Sequence, residues 1–215
     1  MSINGWFPLA LSDAITAGSS AGAIVKGLEV VVWRDDAGNA HAWEDRCPHR
    51  GMKMSFGFVR GDHIACLYHG WQYGVDGQCQ KIPAHPELDV PKSICVNTYG
   101  AAEAGGMIWA ALGEAGDAPT LPDATAVRSL YIEVPLNTAL AALPSAVGAK
   151  GFTPEGPVAR LDSRWGMLLV GLQEIGETSC ALHIAVAGRA TPETCAQIAM
   201  AAARLRDDVE AGVAA

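Results

Sequence analysis

Apolar residues in the first half of the chain come in short runs cut by turn-forming residues. GAIVKGLEVVVWRD and AHAWEDRC place β-branched and aromatic residues at strand spacing, with DDAGN around the junction and later turns at VRGD, GVDGQ and AEAGG. That punctuation predicts an all-β region. The strand pattern stops at Leu112, and GEAGDAPTLPDAT then gathers Gly, Pro and Asp in the manner of a linker. A first domain over residues 1–113 and a linker over 114–126 are therefore expected.

The pattern changes over 127–215. A strand-like SLYIEVPL leads into the small-residue stretch NTALAALPSAVGAKGFTPEGP, and two apolar runs, RWGMLLVGLQ and TSCALHIAVAG, flank EIGE as the arms of a hairpin. Thr191 can cap a helix whose first position is Pro192, and Cys195, Ile198, Ala202, Leu205 and Val209 then recur at spacings of three and four. The chain is thus expected to be mainly β, with a β-sandwich first and a small α+β domain, one amphipathic helix on a sheet, after it.

Composition narrows the choice of partners. Half of the 215 residues are hydrophobic, enough for a packed core. Lys and Arg total 15 against 23 Asp and Glu, so the net charge of −8 argues against a nucleic-acid partner and suits a basic redox or subunit partner. The N-terminal MSINGWFPLALSDA lacks the basic start and long apolar core of a signal peptide, and no apolar stretch reaches the ~20 residues of a membrane helix. A cytoplasmic protein with no membrane partner is expected. Six cysteines, at 47, 66, 79, 95, 180 and 195, read in that setting as ligands or buried thiols.

The chemistry lies in two short segments. Cys47-Pro48-His49-Arg50-Gly51 supplies a Cys and a His one residue apart, and Cys66-Leu67-Tyr68-His69-Gly70-Trp71 supplies a Cys and a His two apart. In a Rieske centre two thiolates hold one iron and two imidazoles the other, which calls for this two-plus-two set from neighbouring loops. Gly51 and Gly70 allow a tight backbone approach after each pair. A structural zinc site of two Cys and two His is the alternative, although zinc ligands usually come as paired Cys and paired His. Arg50, Tyr68 and Trp71 are candidates for a partner-docking rim, or else they simply pack and shield the loops. His41, His63 and His85 have no second ligand at useful spacing and read as surface or turn residues, whereas Trp33, Trp43 and Trp109 read as core.

CPHRGMKMSFGFVRGDHIACLYHGWQYGVDGQCQKIPAHPE resembles the Rieske domain of bacterial ring-hydroxylating and demethylating oxygenases, especially the α subunits of the vanillate demethylase and phenoxybenzoate dioxygenase type. The resemblance covers about the first 115 residues. It implies a cluster at the tip of two hairpin loops, with Cys47 and Cys66 on a buried iron and His49 and His69 on an outer one. Met52 and Tyr68 stand where the respiratory type has two further cysteines, and Trp71 stands where that type has a hydrogen-bonding Ser. With fewer donors, the potential is expected toward the low end of the ~−150 to +300 mV Rieske range.

The second half resembles, more weakly, a shortened catalytic domain of the same family. Such a domain would hold a mononuclear iron by two His and a carboxylate. His183 is the one His beyond residue 85, and strand alternation sets it opposite Leu182 and Ile184, so no such triad can be assembled from residues 120–215. No glycine fingerprint for a nicotinamide or flavin is present either. The chain is therefore expected to be the [2Fe–2S] electron-transfer component of an oxygenase system. It would take electrons from a reductase or ferredoxin and pass them to a mononuclear iron on another subunit of a hetero-oligomer. A self-contained oxygenase with an unconventional iron site, and a redox-sensing or structural subunit, are the alternatives.

Overall fold

A computed structural model describes residues 3–212. In chain order the strands are β1 (Gly5–Leu11), β2 (Ser19–Val25), β3 (Leu28–Arg34), β4 (Ala40–Glu44), β5 (Phe58–Arg60), β6 (His63–Ala65), β7 (Gln72–Gly74), β8 (Cys79–Lys81), β9 (Thr98–Ala104) and β10 (Met107–Leu112). After them come β11 (Ala124–Ile132), α1 (Leu136–Ala146), β12 (Gly151–Glu155), β13 (Val158–Ser163), β14 (Gly166–Gly176), β15 (Ser179–Ala187) and α2 (Pro192–Glu210). The mainly β class expected from the sequence is the one observed. The chain divides into two compact units: 14–24 with 28–101, and a second built from the chain up to Asp13, Val25–Gly27 and the chain from Ala102 onward.

In the first unit β9, β4, β3 and β2 lie side by side, and β5–β6–β7–β8 form a second, antiparallel sheet. Val31, Trp33 and Trp43 from one sheet meet Val59, Ile64, Tyr73 and Cys79 from the other in a common core. The three tryptophans assigned to core, Trp33, Trp43 and Trp109, are all fully buried. His41 is not a surface residue as expected: it sits half-buried in β4, stacked on Trp33 at 4.3 Å, with Nε2 3.1 Å from the Asp35 carboxylate.

The second unit is built on a five-stranded antiparallel sheet ordered β11–β15–β14–β13–β12. Alternation along β15 sends Cys180, Leu182, Ile184 and Val186 to one face, where they meet Ala139 and Leu143 of α1 and Ile198, Ala202, Leu205 and Val209 of α2. The four α2 residues are the buried stripe its spacing predicts, and the Thr191 hydroxyl accepts from the Thr194 amide at 3.2 Å as an N-cap should. On the opposite face Leu169 and Ala185 pack with Leu11, Met107 and Trp109 of the paired strands β1 and β10. The sheet is thus covered on both sides.

Two elements depart from the expectation of a single helix and a single hairpin. α1 forms within the small-residue stretch, with Pro144 in its last turn, where the missing N–H costs one bond near the helix end. β12 and β13 add a second hairpin through Glu155 and Val158. Of the four cysteines read as core, Cys79 and Cys180 are buried, but Cys95 is exposed and Cys195 only half-buried.

Candidate metal centre

Both loops that carry the Cys and His pairs lie in the first unit and share one backbone plan. In the first loop the Cys47 amide donates to the Met52 carbonyl at 2.8 Å and the Gly51 amide to the Cys47 carbonyl at 2.8 Å. In the second the Cys66 amide donates to Trp71 at 2.9 Å and Gly70 to Cys66 at 2.9 Å. Each loop therefore closes from Cys to the fifth residue on, and each needs a left-handed residue at the fourth, which is Gly51 with φ 73° and Gly70 with φ 70°. The plan differs only in where the His stands. The second loop joins paired strands β6 and β7 as a hairpin, whereas the first runs from β4 into a single helical turn at Met54–Phe56.

The base of the first loop is clamped. Asp45, almost fully buried, accepts from the Ser55 amide at 2.7 Å and from its hydroxyl at 2.6 Å. Gly57 then brings this segment against the second loop's base: a Cβ there would run into the Ala65 carbonyl oxygen. Neither device has a local sequence signature, because each pairs residues from separate turns and strands of the chain.

The four candidate ligands split into an inner and an outer pair. Cys47 and Cys66 are buried in the core with Tyr73 and Cys79. The two thiols lie close enough to share a hydrogen bond; burial pushes the Cys66 thiol up, while amides of Tyr68 and His69 donate to its sulfur and oppose the rise. His49 and His69 lie outward, ring centroids 4.6 Å apart. His49 stacks on Trp71 at 4.2 Å with the rings 5° from parallel, while exposed His69 touches Tyr68 at 3.9 Å. Desolvation, then the charges of His69 and Arg50, hold His49 below its ordinary imidazole value. Among the described residues no three His, Cys, Asp or Glu side chains converge as a single ion would require. Two sulfurs inside, two ring nitrogens outside and amides aimed at a sulfur fit a two-iron cluster held two-plus-two.

The remaining sequence candidates fall as follows. Arg50 and Tyr68 are exposed beside this end, whereas Trp71 is half-buried and spends one ring face on His49. His63 is half-buried and His85 exposed. His183 is fully buried in the second unit, on the face alternation assigns it, with Nδ1 2.8 Å from the Ser129 hydroxyl and Nε2 2.7 Å from Gln173 Oε1, so neither nitrogen is open to a metal.

Sequence reading missed Tyr73, whose hydroxyl lies 3.2 Å from Cys47 Sγ. Burial, then the neighbouring cysteines, push the phenol far above its ordinary range, so it stays protonated and donates to the sulfur once Cys47 is a thiolate. A cluster held through Cys47 would carry more charge on its sulfurs when reduced, so this donor would favour reduction and partly offset the donor lost at Trp71. Tyr73→Phe is expected to lower the midpoint potential by about 40 mV, a difference of about 1 kcal/mol between oxidation states. Protein-film voltammetry would read it; an unchanged potential would show that the phenol does not donate.

A family model described as Rieske [2Fe-2S] domain matches residues 5–99. Oxidoreductase NdmD of Pseudomonas putida is 38 % identical over 133 residues, 60 % of this chain and 23 % of that protein. Methylxanthine N1-demethylase NdmA of the same species is 41 % identical over 81 residues, 38 % of this chain and 23 % of that protein. This chain thus spans about a quarter of these curated relatives' length. Among solved structures, apo dicamba monooxygenase superposes with a TM-score of 0.74 at 18 % identity over 97 % of this chain and 85 % of the other. Residues 5–99 thus match the Rieske [2Fe-2S] domain, and over 97 % of its length the chain shares the fold of dicamba monooxygenase.

Proposed function

We propose that Cys47, His49, Cys66 and His69 hold a [2Fe–2S] cluster and that the chain is the electron-transfer component of an oxygenase system. A reductase or ferredoxin is its donor, and a catalytic subunit that carries the mononuclear iron is its acceptor. The observation that supports this most strongly is the matched pair of loops, each closing over one Cys and one His. The cluster, when bound, accepts and returns one electron.

The chain's own residues supply the rest. Cys47 and Cys66 face the core and keep water from the sulfur side; Tyr73 donates a hydrogen bond to Cys47 Sγ; exposed His69 is the point nearest a partner. Arg50 and Tyr68 flank that point and Trp71 backs His49, which suits a docking rim. The buried, fully bonded His183 supports placing the catalytic iron on another polypeptide of a hetero-oligomer. Cys79, Cys95, Cys180 and Cys195, outside the proposed ligand set, are free thiols, which suits the cytoplasm. Residues 1–113 and 127–215 are read as an electron-carrying module and a shortened catalytic-like module joined by 114–126.

Anaerobically purified protein is expected to contain about two irons and two acid-labile sulfides, with a reduced-state EPR signal of low average g. His49→Ala and His69→Ala should each abolish that signal. Zinc in place of iron and sulfide would overturn the assignment. Three irons with substrate-dependent oxygen uptake by the isolated chain would return the catalytic iron to this polypeptide.

A further inference from the structure

Between the five-stranded sheet and its helices the second unit is solid: Leu182 and Ile184 of β15 meet Ala139 and Leu143 of α1 and Ile198, Ala202 and Leu205 of α2, all buried. It is hollow elsewhere. At the end of the sheet that carries the β12–β13 turn, a cavity of about 700 Å³ opens among the start of β1, the segment 117–121, the first turns of α1 and the strand β14. Every described residue that lines it belongs to this one unit, and none of them is a His, a Cys or a residue of α2.

Its walls are tied in place. GEAGDAPTLPDAT has the composition of a linker, yet it serves here as a wall: the Trp6 indole donates to the Gly116 carbonyl at 2.9 Å, the Glu114 amide donates to Asn4 Oδ1 at 3.1 Å, and Leu121 packs against the core of Leu169 and Ala185. At the β12–β13 turn the Leu172 amide donates to the Pro157 carbonyl at 2.8 Å. Lys26, the one non-glycine residue with a left-handed backbone among those described (φ 50°), donates its amide to the Glu174 carbonyl at 2.7 Å. With Pro119, Pro154 and Pro157 also in the lining, the hollow is preformed.

The same bonds consume its polar groups. Lys26 Nζ lies 3.6 Å from the Glu174 carboxylate and Arg160 Nε 2.9 Å from that of Glu155, which leaves Asp117 as the one lining charge without an ion pair among the described residues. The surface still on offer is apolar: Trp6, Phe7, Leu121, Leu136, Leu140 and Leu172. An entering anion would meet three carboxylates and two cations that are already paired. We propose that this cavity binds a neutral, rigid, apolar small molecule, alicyclic or aromatic, as a holding site separate from the two loops that carry the candidate ligands. Its volume falls within the range of about 300–1,000 Å³ that holds small organic ligands, and its tied walls spare the cost of ordering them on binding. No reaction is assigned to it, and it does not depend on the cluster reading.

The test titrates the cluster-loaded chain calorimetrically with a matched pair of probes, neutral 1-adamantanemethanol and 1-adamantanecarboxylate, which is anionic at neutral pH. The neutral probe is expected to bind once per chain with a Kd on the order of 50 µM, and the carboxylate at least about tenfold more weakly. Leu136→Trp, which fills the hollow from the half-buried face of α1, and Leu136→Asp, which charges it, should each weaken the neutral probe about tenfold or more. Leu88→Ser, at an exposed leucine outside the cavity, should leave its affinity unchanged. The comparison of probes on wild type stands whether or not the Leu136 variants fold, and a photolysed adamantane diazirine should label wild type within residues 4–7, 117–121 or 136–140. No saturable heat from the neutral probe, equal affinity for the carboxylate, or labelling confined to exposed Phe56, Phe58 or Leu67 would overturn the proposal. Iron and sulfide content, counted on the same samples, reports on the cluster reading separately.

Discussion

Replacing Gly57 by Ala is expected to cost the protein most of its cluster. Gly57 has an ordinary φ of −78°, so the requirement is steric and not conformational. A Cβ would strike the Ala65 carbonyl oxygen and lie 2.9 Å from the Met54 carbonyl oxygen, both backbone atoms with no rotamer to yield. Ala65 is held by its pairing with Phe58 and Gln72, and Met54 is fully buried, so the segments that base the two loops must part. Overpacking of this kind costs about 3 kcal/mol, which in a chain of this size lowers the melting temperature by about 9 °C. Gly61 is the contrasting case: its φ is +59° and a Cβ there meets nothing within 4 Å, so Gly61→Ala pays only the left-handed strain of about 1 kcal/mol. Thermal melts and iron per chain for the two variants check the account. Gly57→Ala with full iron and a melting point no lower than that of Gly61→Ala would refute it.

Acid should weaken the second unit through one residue. His183 faces Ser129, Gly171 and Gln173 of the neighbouring strands, none of which carries a charge, and burial lowers its pKa to about 4. The ring is held neutral, with Nε2 donating to Gln173 and Nδ1 accepting from the Ser129 hydroxyl. An unfolded chain binds the proton near the ordinary value of 6.5, so between that pH and about 4 the unfolded state holds more protons. The contribution to stability is complete above the unfolded value and is lost as pH falls toward 4, a total of about 3 kcal/mol. His183→Gln keeps a neutral polar side chain and removes the proton site. Urea unfolding at a series of pH values should show wild type losing about 3 kcal/mol relative to this variant, whatever its standing at pH 7.5. Parallel curves would mean that His183 titrates alike in both states.

Legibility in the sequence followed the range of the interactions. Cys47, His49, Cys66 and His69 stood out because each loop is a local device in which ligands and a turn glycine fall within a few residues. α2 was legible for the same reason, its cap and its stripe being set by helical spacing. α1 was not: LNTALAALPSA has no charged face to mark a period and carries Pro144, and it is helical because Ala139 and Leu143 find the sheet. The joining of β1 and β10 to the second unit depends on a face that only the folded sheet presents. Tyr73, Asp45 with Ser55, and Gly57 act through partners outside their own turn or strand, and a Tyr, an Asp or a Gly at those places carries no chemical label of its own.

The common plan of the two loops, broken only by where the His stands, makes two chemically identical side chains unequal. Placed one step earlier, His49 is roofed by the Trp71 ring; placed one step later, His69 stands open at the rim. On the proposed ligand set the protein therefore has a partly covered terminal and an open one, and traffic in both directions favours the open one. Donor and acceptor would then compete for a single berth and call in turn, each leaving before the other can land.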